Sequence, residues 1–436
     1  MNFWTENIEI VKSISDKAER LRFLLFLLLV FSLPFDRFYS SALFLAFSFS
    51  TLLAISKQRL KQIPRQVWLF QLIYLLSLTG YYLSLHRSLA GFMLEKQATI
   101  FFIPLLLPVA LRPDRDKITV LVNVLTLASF TAIVFLFIRL FMLIEGMRLP
   151  LVSTALSGVF FNHEFSRPLD IHAGYLSLYV AFSVFNVVNQ FNRIKTFSAR
   201  LILIVTGAVL FAGLFFLASR NTMIATLAVM LFIFPLFRIR NKRAYLAITL
   251  LSLGACFSII RSVPYLWERF SRQLVSELKP VKNGEMLNYY TLEPRIERWK
   301  CATALVKRSP WVGYGTGDEV AMLKTQYAKR GLFISYLEEF NSHNQYLSIL
   351  VKHGIAGLLI FIGAFVYYLR LAFKQRHFMY ISFLLLLVIG FYTENILDSN
   401  KGILFFSIFN TFMGYAILNQ VAENSRQERA DEGEAS

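Results

Sequence analysis

Long apolar runs separated by short polar segments dominate the sequence. Residues 117–141, for example, form a continuous rather than alternating run, and a helix needs about 20 apolar residues to cross a bilayer. Backbone groups in lipid must be hydrogen-bonded within their own segment, so we expect helices rather than strands. Hydrophobic residues make up 56% of the 436 residues, and these include 44 Phe. Soluble domains do not bury this much apolar surface. The chain is therefore predicted to be an all-α polytopic membrane protein.

About twelve transmembrane helices are predicted, within a single integral membrane domain that covers residues 1–436. The predicted spans are 22–36, 38–56, 67–85, 97–111, 117–141, 171–191, 200–218, 221–237, 244–261, 345–369, 377–393 and 402–420. Before the first span, the apolar residues recur at helical spacing, which is typical of a helix lying on the membrane surface. The only large polar segment is the loop of residues 262–342, which is predicted to contain helices.

Basic residues concentrate in alternate connections between these spans. The net charge of +18 would suggest nucleic acid in a soluble protein, but in a membrane protein Lys and Arg orient the spans, so no nucleic acid partner is expected. The basic connections are 57–65, 112–117, 193–200, 238–243 and 370–376. The positive-inside rule places them in the cytoplasm, together with both termini and the polar tail 421–436. Loop 262–342 then lies outside, which in a bacterium is the periplasmic side of the cytoplasmic (inner) membrane.

Two features of the long loop suggest a site. Pro294 suits the first turn of a helix in which Arg295, Arg298 and Trp299 share one side. A glycine-rich turn over residues 313–317 follows. Alternating glycines let a backbone approach a ligand closely, or they permit a tight structural turn. No P-loop lysine follows them, so a nucleotide site is disfavoured.

Arg220 joins two predicted spans with almost no loop between them. A charged residue at this position is expensive and is usually functional, although its side chain can also extend to the membrane surface. The sequence therefore predicts that Arg220 lies on the same face as Arg295, at or just inside the membrane boundary.

His343 lies in a polar cluster, residues 341–346, where the long loop meets a membrane-length run. A histidine here often only caps a helix, but two arginines on the same face favour catalysis. Arginines bind phosphate oxygens bidentately, and a neutral imidazole accepts a proton from a hydroxyl. Together they fit a transferase with a phosphate or pyrophosphate leaving group and an alcohol acceptor. Only Glu394 and Asp398 resemble an acidic cluster, and both are as well placed to pair with the arginines, so no metal is expected.

Several motifs in this order resemble the O-antigen ligase and O-antigen polymerase family. His343-Asn344, followed by Leu347 and by the His-Gly-Ile-Ala-Gly-Leu of residues 353–358, is similar to the family signature. The other similar motifs are Ser219-Arg220, His172-x-x-Tyr175, Arg295-x-x-x-Trp299 with Pro310 and the glycine turn, and Glu394-x-x-Leu397-x-x-x-x-Gly402. Because Arg298 lies beside Arg295, the sequence leaves open which of the two has the family role.

The resemblance implies a glycosyltransferase that acts outside the cytoplasmic membrane without a metal or other cofactor and inverts the anomeric configuration. The donor would be a glycan on polyprenyl pyrophosphate. A ligase transfers it to lipid A–core, whereas a polymerase transfers it to another lipid-linked repeat, and we expect the ligase. His343, Arg220 and Arg295 would be catalytic. The residues expected to bind substrate are Arg298, His172, Tyr175, Asn344 and Glu394.

A transporter of an anionic lipid is the alternative from another class. Transporters often contain two related halves with broken helices near the middle of the membrane. The chain shows no such internal repeat, and its predicted charged cluster lies at one face. The enzyme is therefore preferred.

Overall fold

The structure is a computed structural model that describes residues 3–61, 63–191, 193–238, 241–278 and 293–434. Within these residues it is helical and contains no β-strand. The helices are α1 (Phe3–Ser13), α2 (Lys17–Phe31), α3 (Arg37–Leu52), α4 (Lys57–Leu60), α5 (Val67–Leu83), α6 (Arg87–Ala110), α7 (Arg115–Gly146), α8 (Leu151–Ala155), α9 (His163–Ser166), α10 (Ala173–Phe191), α11 (Phe197–Leu217), α12 (Arg220–Ala228), α13 (Phe234–Arg238), α14 (Lys242–Ser262), α15 (Pro264–Trp267), α16 (Gln273–Leu278), α17 (Arg295–Arg308), α18 (Glu319–Arg330), α19 (Phe333–Leu337), α20 (Gln345–Lys374), α21 (Phe378–Gly390) and α22 (Asn400–Glu434). Two 3₁₀ segments are Arg167–Leu169 and Ile396–Asp398, and two π segments are Val229–Ile233 and Glu268–Arg272.

Each of the twelve predicted spans coincides with a helix, and the all-helical fold is confirmed for the described residues. In that part of the chain six helices are long and apolar enough to cross a membrane: Arg87–Ala110, Arg115–Gly146, Phe197–Leu217, Arg220–Phe237, Gln345–Lys374 and Asn400–Glu423. The number rises to eight if two bent pairs, His163–Leu169 with Ala173–Phe191 and Thr249–Ser262 with Pro264–Glu277, each count as one span. The fold is that of a polytopic membrane protein. The count of twelve spans and their orientation stay predictions.

Helix α22 is the most deeply enclosed of these six spans, because 89% of its apolar window is buried. It packs against the rest of the bundle through buried tyrosines: Tyr415 donates to the carbonyl of Pro104 at 2.8 Å, and Tyr179 donates to the carbonyl of Lys401 at 2.9 Å. The segment that leads into α22 carries Glu394. The predicted tail is helical as far as Glu434, and residues 435–436 lie outside the described residues.

Helix α20, which follows the polar cluster, is broken at Gly354. The φ and ψ of this glycine are 63° and −165°, and a Cβ there would lie 2.2 Å from the carbonyl carbon of Trp311. The loop supplies the missing acceptors, because the N–H of Ile355 donates to the carbonyl of Pro310 at 2.7 Å and that of Ala356 donates to Trp311 at 3.3 Å. Only glycine fits both the positive φ and the close backbone approach.

The glycine-rich turn after α17 packs on protein backbone. Gly313 and Gly315 have φ of 69° and 104°. The N–H of Tyr314 donates to the carbonyl of Val351 at 2.9 Å, and the N–H of Gly315 donates to that of Lys352 at 2.8 Å. Of the two interpretations of the alternating glycines, the structure contains the tight structural turn.

The described part of the long loop, residues 262–278 and 293–342, folds against the start of α20. Helices α17 and α18 enclose a small apolar core of Cys301, Ala302, Leu305, Leu323, Tyr327, Leu332 and Val351. Asp318 anchors the loop to the connection between α5 and α6, because it accepts from the N–H of Leu85 at 2.8 Å and of His86 at 3.0 Å. Residues 279–292 lie outside the described residues. The periplasmic location of the loop stays a prediction.

Candidate active site

Arg220 lies immediately after the break between two helices. Helix α11 ends at Leu217, and Ala218 adopts a left-handed φ of 44° before α12 begins at Arg220. Because no loop separates the two helices, the guanidinium does not extend into solvent, and the side chain is 11% exposed. Its Nη1 donates to the carbonyl of Arg269 at 3.1 Å, and its Nη2 donates to Oε1 of Glu277 at 2.6 Å. Arg220 is therefore held inside the fold by two specific contacts.

Arg295 is the first residue of α17, and its guanidinium lies between two carboxylates. Its Nε is 3.7 Å from Oε2 of Glu277, and its Nη2 is 3.5 Å from Oε1 of Glu394. Its Nη1 donates to the carbonyl of Thr393 at 3.3 Å. Glu277 thus contacts both arginines, and one carboxylate separates the two guanidinium groups.

His343 lies in the turn before α20, with a φ of 46°. Its backbone N–H donates to Oδ1 of Asn341 at 2.9 Å, and its ring packs edge-on against Phe340. The nearest carboxylate to the imidazole is Glu394, whose Oε2 is 3.5 Å from Nδ1. Within the described residues Nδ1 is buried and has no other polar partner. Glu394 is therefore the carboxylate that faces the imidazole.

These contacts form a row of alternating charges, which we call the acid–base row: Arg220, Glu277, Arg295, Glu394 and His343. It brings together the three residues predicted to be catalytic and one predicted to bind substrate. Glu277 was missed by sequence reasoning. It is one of many acidic residues in the chain, it lies 57 positions from Arg220, and no periodicity relates the two.

The pKa of Glu394 reflects the balance of burial and neighbouring charge. Burial would raise it, but the neighbouring His343 and Arg295 outweigh burial and lower the pKa to about 2. Glu394 is therefore ionised at neutral pH, and as an anion it holds both the imidazole and the guanidinium.

Arg298 forms no salt bridge with the acid–base row among the described residues. Its guanidinium stacks on the ring of Phe340 at 5.1 Å, and its side chain is 8% exposed. Burial lowers the pKa of Arg298, and the charge of Arg295 lowers it further. The Nε of Arg298 is buried without a hydrogen-bond partner in the part of the chain that the structure describes. Of the two neighbouring arginines, Arg295 is the one that contacts the carboxylates.

The remaining predicted residues surround the acid–base row. His172 lies in the neighbourhood of Glu394, and its ring lies 5.4 Å from that of Tyr175. The ring of His163, which the sequence did not single out, is 4.1 Å from that of His172. Asn344 caps α20, because its Oδ1 accepts from the N–H of Leu347 at 3.0 Å. The side chain of Asn344 thus fixes the start of the helix that follows His343.

Chemically, the two guanidinium groups are suited to binding a dianionic or polyanionic group, and the imidazole is suited to accepting a proton. Two guanidinium groups share one carboxylate, so a phosphate or pyrophosphate can take the place of that carboxylate between them. The imidazole faces an ionised carboxylate and can accept a proton. Over the described residues, no group of three His, Cys, Asp or Glu side chains is arranged to hold a metal ion. Both cysteines, Cys256 and Cys301, are buried and free.

The fold and the acid–base row define a helical membrane protein with a partly buried cluster of paired charges beside the start of α20. Residues 205–362 match the sequence model of the O-antigen ligase family. The match confirms the resemblance that the motifs indicated, and it supports an enzyme of the ligase and polymerase family. It includes Arg220, Glu277, Arg295 and His343, whereas Glu394 lies beyond it. No curated protein is significantly similar in sequence to this chain.

Proposed function

We propose that the chain is an O-antigen ligase-like glycosyltransferase. It transfers a glycan from polyprenyl pyrophosphate to an acceptor hydroxyl, such as one on lipid A–core, at the periplasmic face of the bacterial inner membrane. The observation that supports this proposal is the acid–base row, in which two arginines and a histidine share bridging carboxylates. The family match over residues 205–362 supports lipid-linked glycans as the class of substrate.

The donor enters from the bilayer, and its pyrophosphate binds between Arg220 and Arg295. These two guanidinium groups are now bridged by Glu277, so the pyrophosphate takes over contacts that a carboxylate makes in the free protein. Their charge stabilises the pyrophosphate as it departs, which is where negative charge develops in the transition state.

His343 activates the acceptor. Glu394 faces Nδ1 of the imidazole, which leaves Nε2 as the nitrogen that accepts the proton of the hydroxyl. The acceptor oxygen attacks the anomeric carbon from the side opposite the pyrophosphate. A new glycosidic bond forms while the bond between the anomeric carbon and the pyrophosphate oxygen breaks, and the pyrophosphate leaves with the electron pair. In-line attack inverts the anomeric configuration.

The experiment is reconstitution of the purified protein with a lipid-linked glycan and each acceptor in turn. Transfer to lipid A–core supports the ligase. Extension of a second lipid-linked repeat identifies a polymerase instead. Movement of the donor between leaflets without formation of a new glycosidic bond contradicts both and favours a transporter. Activity that requires added magnesium or manganese contradicts the metal-independent step.

A further inference from the structure

A buried group of charges lies behind His343. It consists of Glu319 on α18, Lys352 on α20 and Asp398 at the end of the second 3₁₀ segment. The Nζ of Lys352 is 3.1 Å from Oε2 of Glu319 and donates to Oδ2 of Asp398 at 2.7 Å. Glu319 is 2% exposed and Lys352 is 6% exposed. We call these three residues the buried triad. None of them belongs to the acid–base row.

One side of the buried triad holds the residue before His343. The backbone N–H of Ser342 donates to Oε1 of Glu319 at 3.2 Å, and the Oγ of Ser342 donates to the same oxygen at 2.9 Å. Ser342 is fully buried, and its single hydroxyl proton is shared with the carbonyl of Asn344, which lies 3.1 Å from the Oγ. The turn that carries His343 is therefore tied to Glu319 from its N-terminal side.

The other side of the buried triad holds the residue after Glu394. The Nδ2 of Asn395 donates to Oδ2 of Asp398 at 3.0 Å, and Asn395 is 3% exposed. The same segment is fixed a second time, because the N–H of Leu397 donates to Oε1 of Gln345 at 2.8 Å. The buried triad thus contacts Ser342, which precedes His343, and Asn395, which follows Glu394.

We propose that the buried triad is a positioning unit that sets the distance between His343 and Glu394. Its effect on catalysis rests on the proposed function, whereas its effect on the distance does not. A left-handed φ at a residue other than glycine persists only where the surroundings hold it. His343 has a φ of 46°, and the hydrogen bonds of Ser342 hold the turn in which it lies. A triad that served only to neutralise buried charge would need no contact with either neighbour.

The catalytic test uses Ser342→Ala, which removes both hydroxyl bonds with little change of volume. Ser335→Ala is the matched control, because Ser335 is equally buried and its N–H and Oγ both donate to Glu293 in the same loop. We expect kcat to fall about 10- to 100-fold in Ser342→Ala, since small misplacements of a reacting group cost this much. The KM for the donor should be unchanged, and Ser335→Ala should retain both constants. Equal losses in the two variants would overturn the proposal.

A second measurement reports the distance between positions 343 and 394 and does not depend on catalytic activity. His343→Cys and Glu394→Cys are combined, and the yield from a short bifunctional thiol reagent is measured with Ser342→Ala or Ser335→Ala added. We expect the cross-link to weaken only with Ser342→Ala. If that variant does not fold, Asn395→Ala tests the other side of the buried triad in the same way. An unchanged cross-link overturns the proposal whatever the activity. A weakened cross-link, combined with a wild-type protein that transfers no glycan on reconstitution, leaves the positioning unit standing and refutes the proposed function.

Discussion

Two clusters of arginine and histidine lie at opposite ends of α20, and they differ in their carboxylates. At the start of α20, His343 and its arginines alternate with Glu277 and Glu394. At the other end, separated by roughly 45 Å of helix, His377 lines a polar cavity of about 320 Å³. Arg115, Arg193 and Arg376 line the same cavity. None of these three arginines forms a salt bridge within the residues that the structure describes.

The two clusters therefore use positive charge in different ways. In one cluster only the net charge is needed, whereas in the other each guanidinium is held in position by a carboxylate. The three arginines beside His377 are exposed, as expected for residues that set orientation through the positive-inside rule. Arg220 and Arg295 are 11% and 24% exposed and are held by carboxylates, which is what a buried charge requires. Of these five arginines, Arg220 and Arg295 are the two that are both partly buried and paired with carboxylates.

The largest effect is expected for His343→Ala. Loss of a general base typically lowers the rate of transfer about 10²- to 10⁴-fold. His377→Ala is the control at the opposite end. The Nδ1 of His377 only accepts from the N–H of Tyr380 at 3.2 Å, so this variant should keep its transfer rate. Initial rates with purified protein and saturating donor measure both. Near-normal transfer by His343→Ala would return this histidine to a structural role.

The next effect is expected for the two paired arginines. Lysine keeps the charge but loses the planar fork that matches two phosphate oxygens. Arg220→Lys and Arg295→Lys should therefore each lower transfer about 10- to 100-fold, because a hydrogen bond to a charged group contributes about 1.5–3 kcal/mol. Arg298→Lys should have a milder effect, because Arg298 stacks on Phe340.

Arg193→Lys is the matched control, since only its charge is needed. Transfer rates and the fraction of folded, inserted protein are measured for all four variants. Full activity of both Arg220→Lys and Arg295→Lys would show that positive charge alone suffices in the acid–base row. The proposed difference between the two arginine clusters would then be wrong.

Much of this site could be predicted from the sequence, because Arg220, His343 and Glu394 interrupt or border apolar runs, where polar residues stand out. The choice between Arg295 and Arg298 could not, since residues three apart share a helix side and only the rotation of α17 separates them. Glu277 gave no signal, because its partners come from distant parts of the chain.

The ends and breaks of the helices were also only partly predictable from the sequence. Helix α6 begins at Arg87, ten residues before the predicted start at residue 97, because polar residues in its first turns interrupt the apolar pattern. Likewise, the break in α20 is caused by the carbonyls of Pro310 and Trp311, which come from a different part of the chain. Long apolar runs predict helices reliably, but contacts between distant segments decide where a helix bends or breaks.

A smaller effect is expected for Glu277→Gln, which removes the carboxylate that bridges the two arginines. Because this carboxylate competes with the pyrophosphate, the KM for the donor should fall about two- to fivefold, in keeping with an ion pair worth about 1 kcal/mol. Glu297→Gln is the control, since Glu297 on α17 pairs with Lys300 at 2.7 Å and with Arg330 at 3.7 Å, neither of which belongs to the acid–base row. A lower kcat with an unchanged KM would instead make Glu277 a residue that positions the arginines.

The smallest effect concerns stability in acid at the start of α20. The pKa of Glu394 is lowered from 4.5 to about 2, because His343 and Arg295 outweigh the effect of burial. The folded chain therefore holds this carboxylate ionised where the unfolded chain protonates it, and its contribution to stability is complete above about pH 4.5 and is lost between 4.5 and 2. Thermal unfolding of the wild type and Glu394→Gln from pH 7 to pH 3 measures this contribution. The Tm difference between the two proteins should be constant from pH 7 to about 4.5 and should shrink below 4.5. A Tm difference that already changes between pH 7 and 5.5 would contradict this origin of the pKa shift.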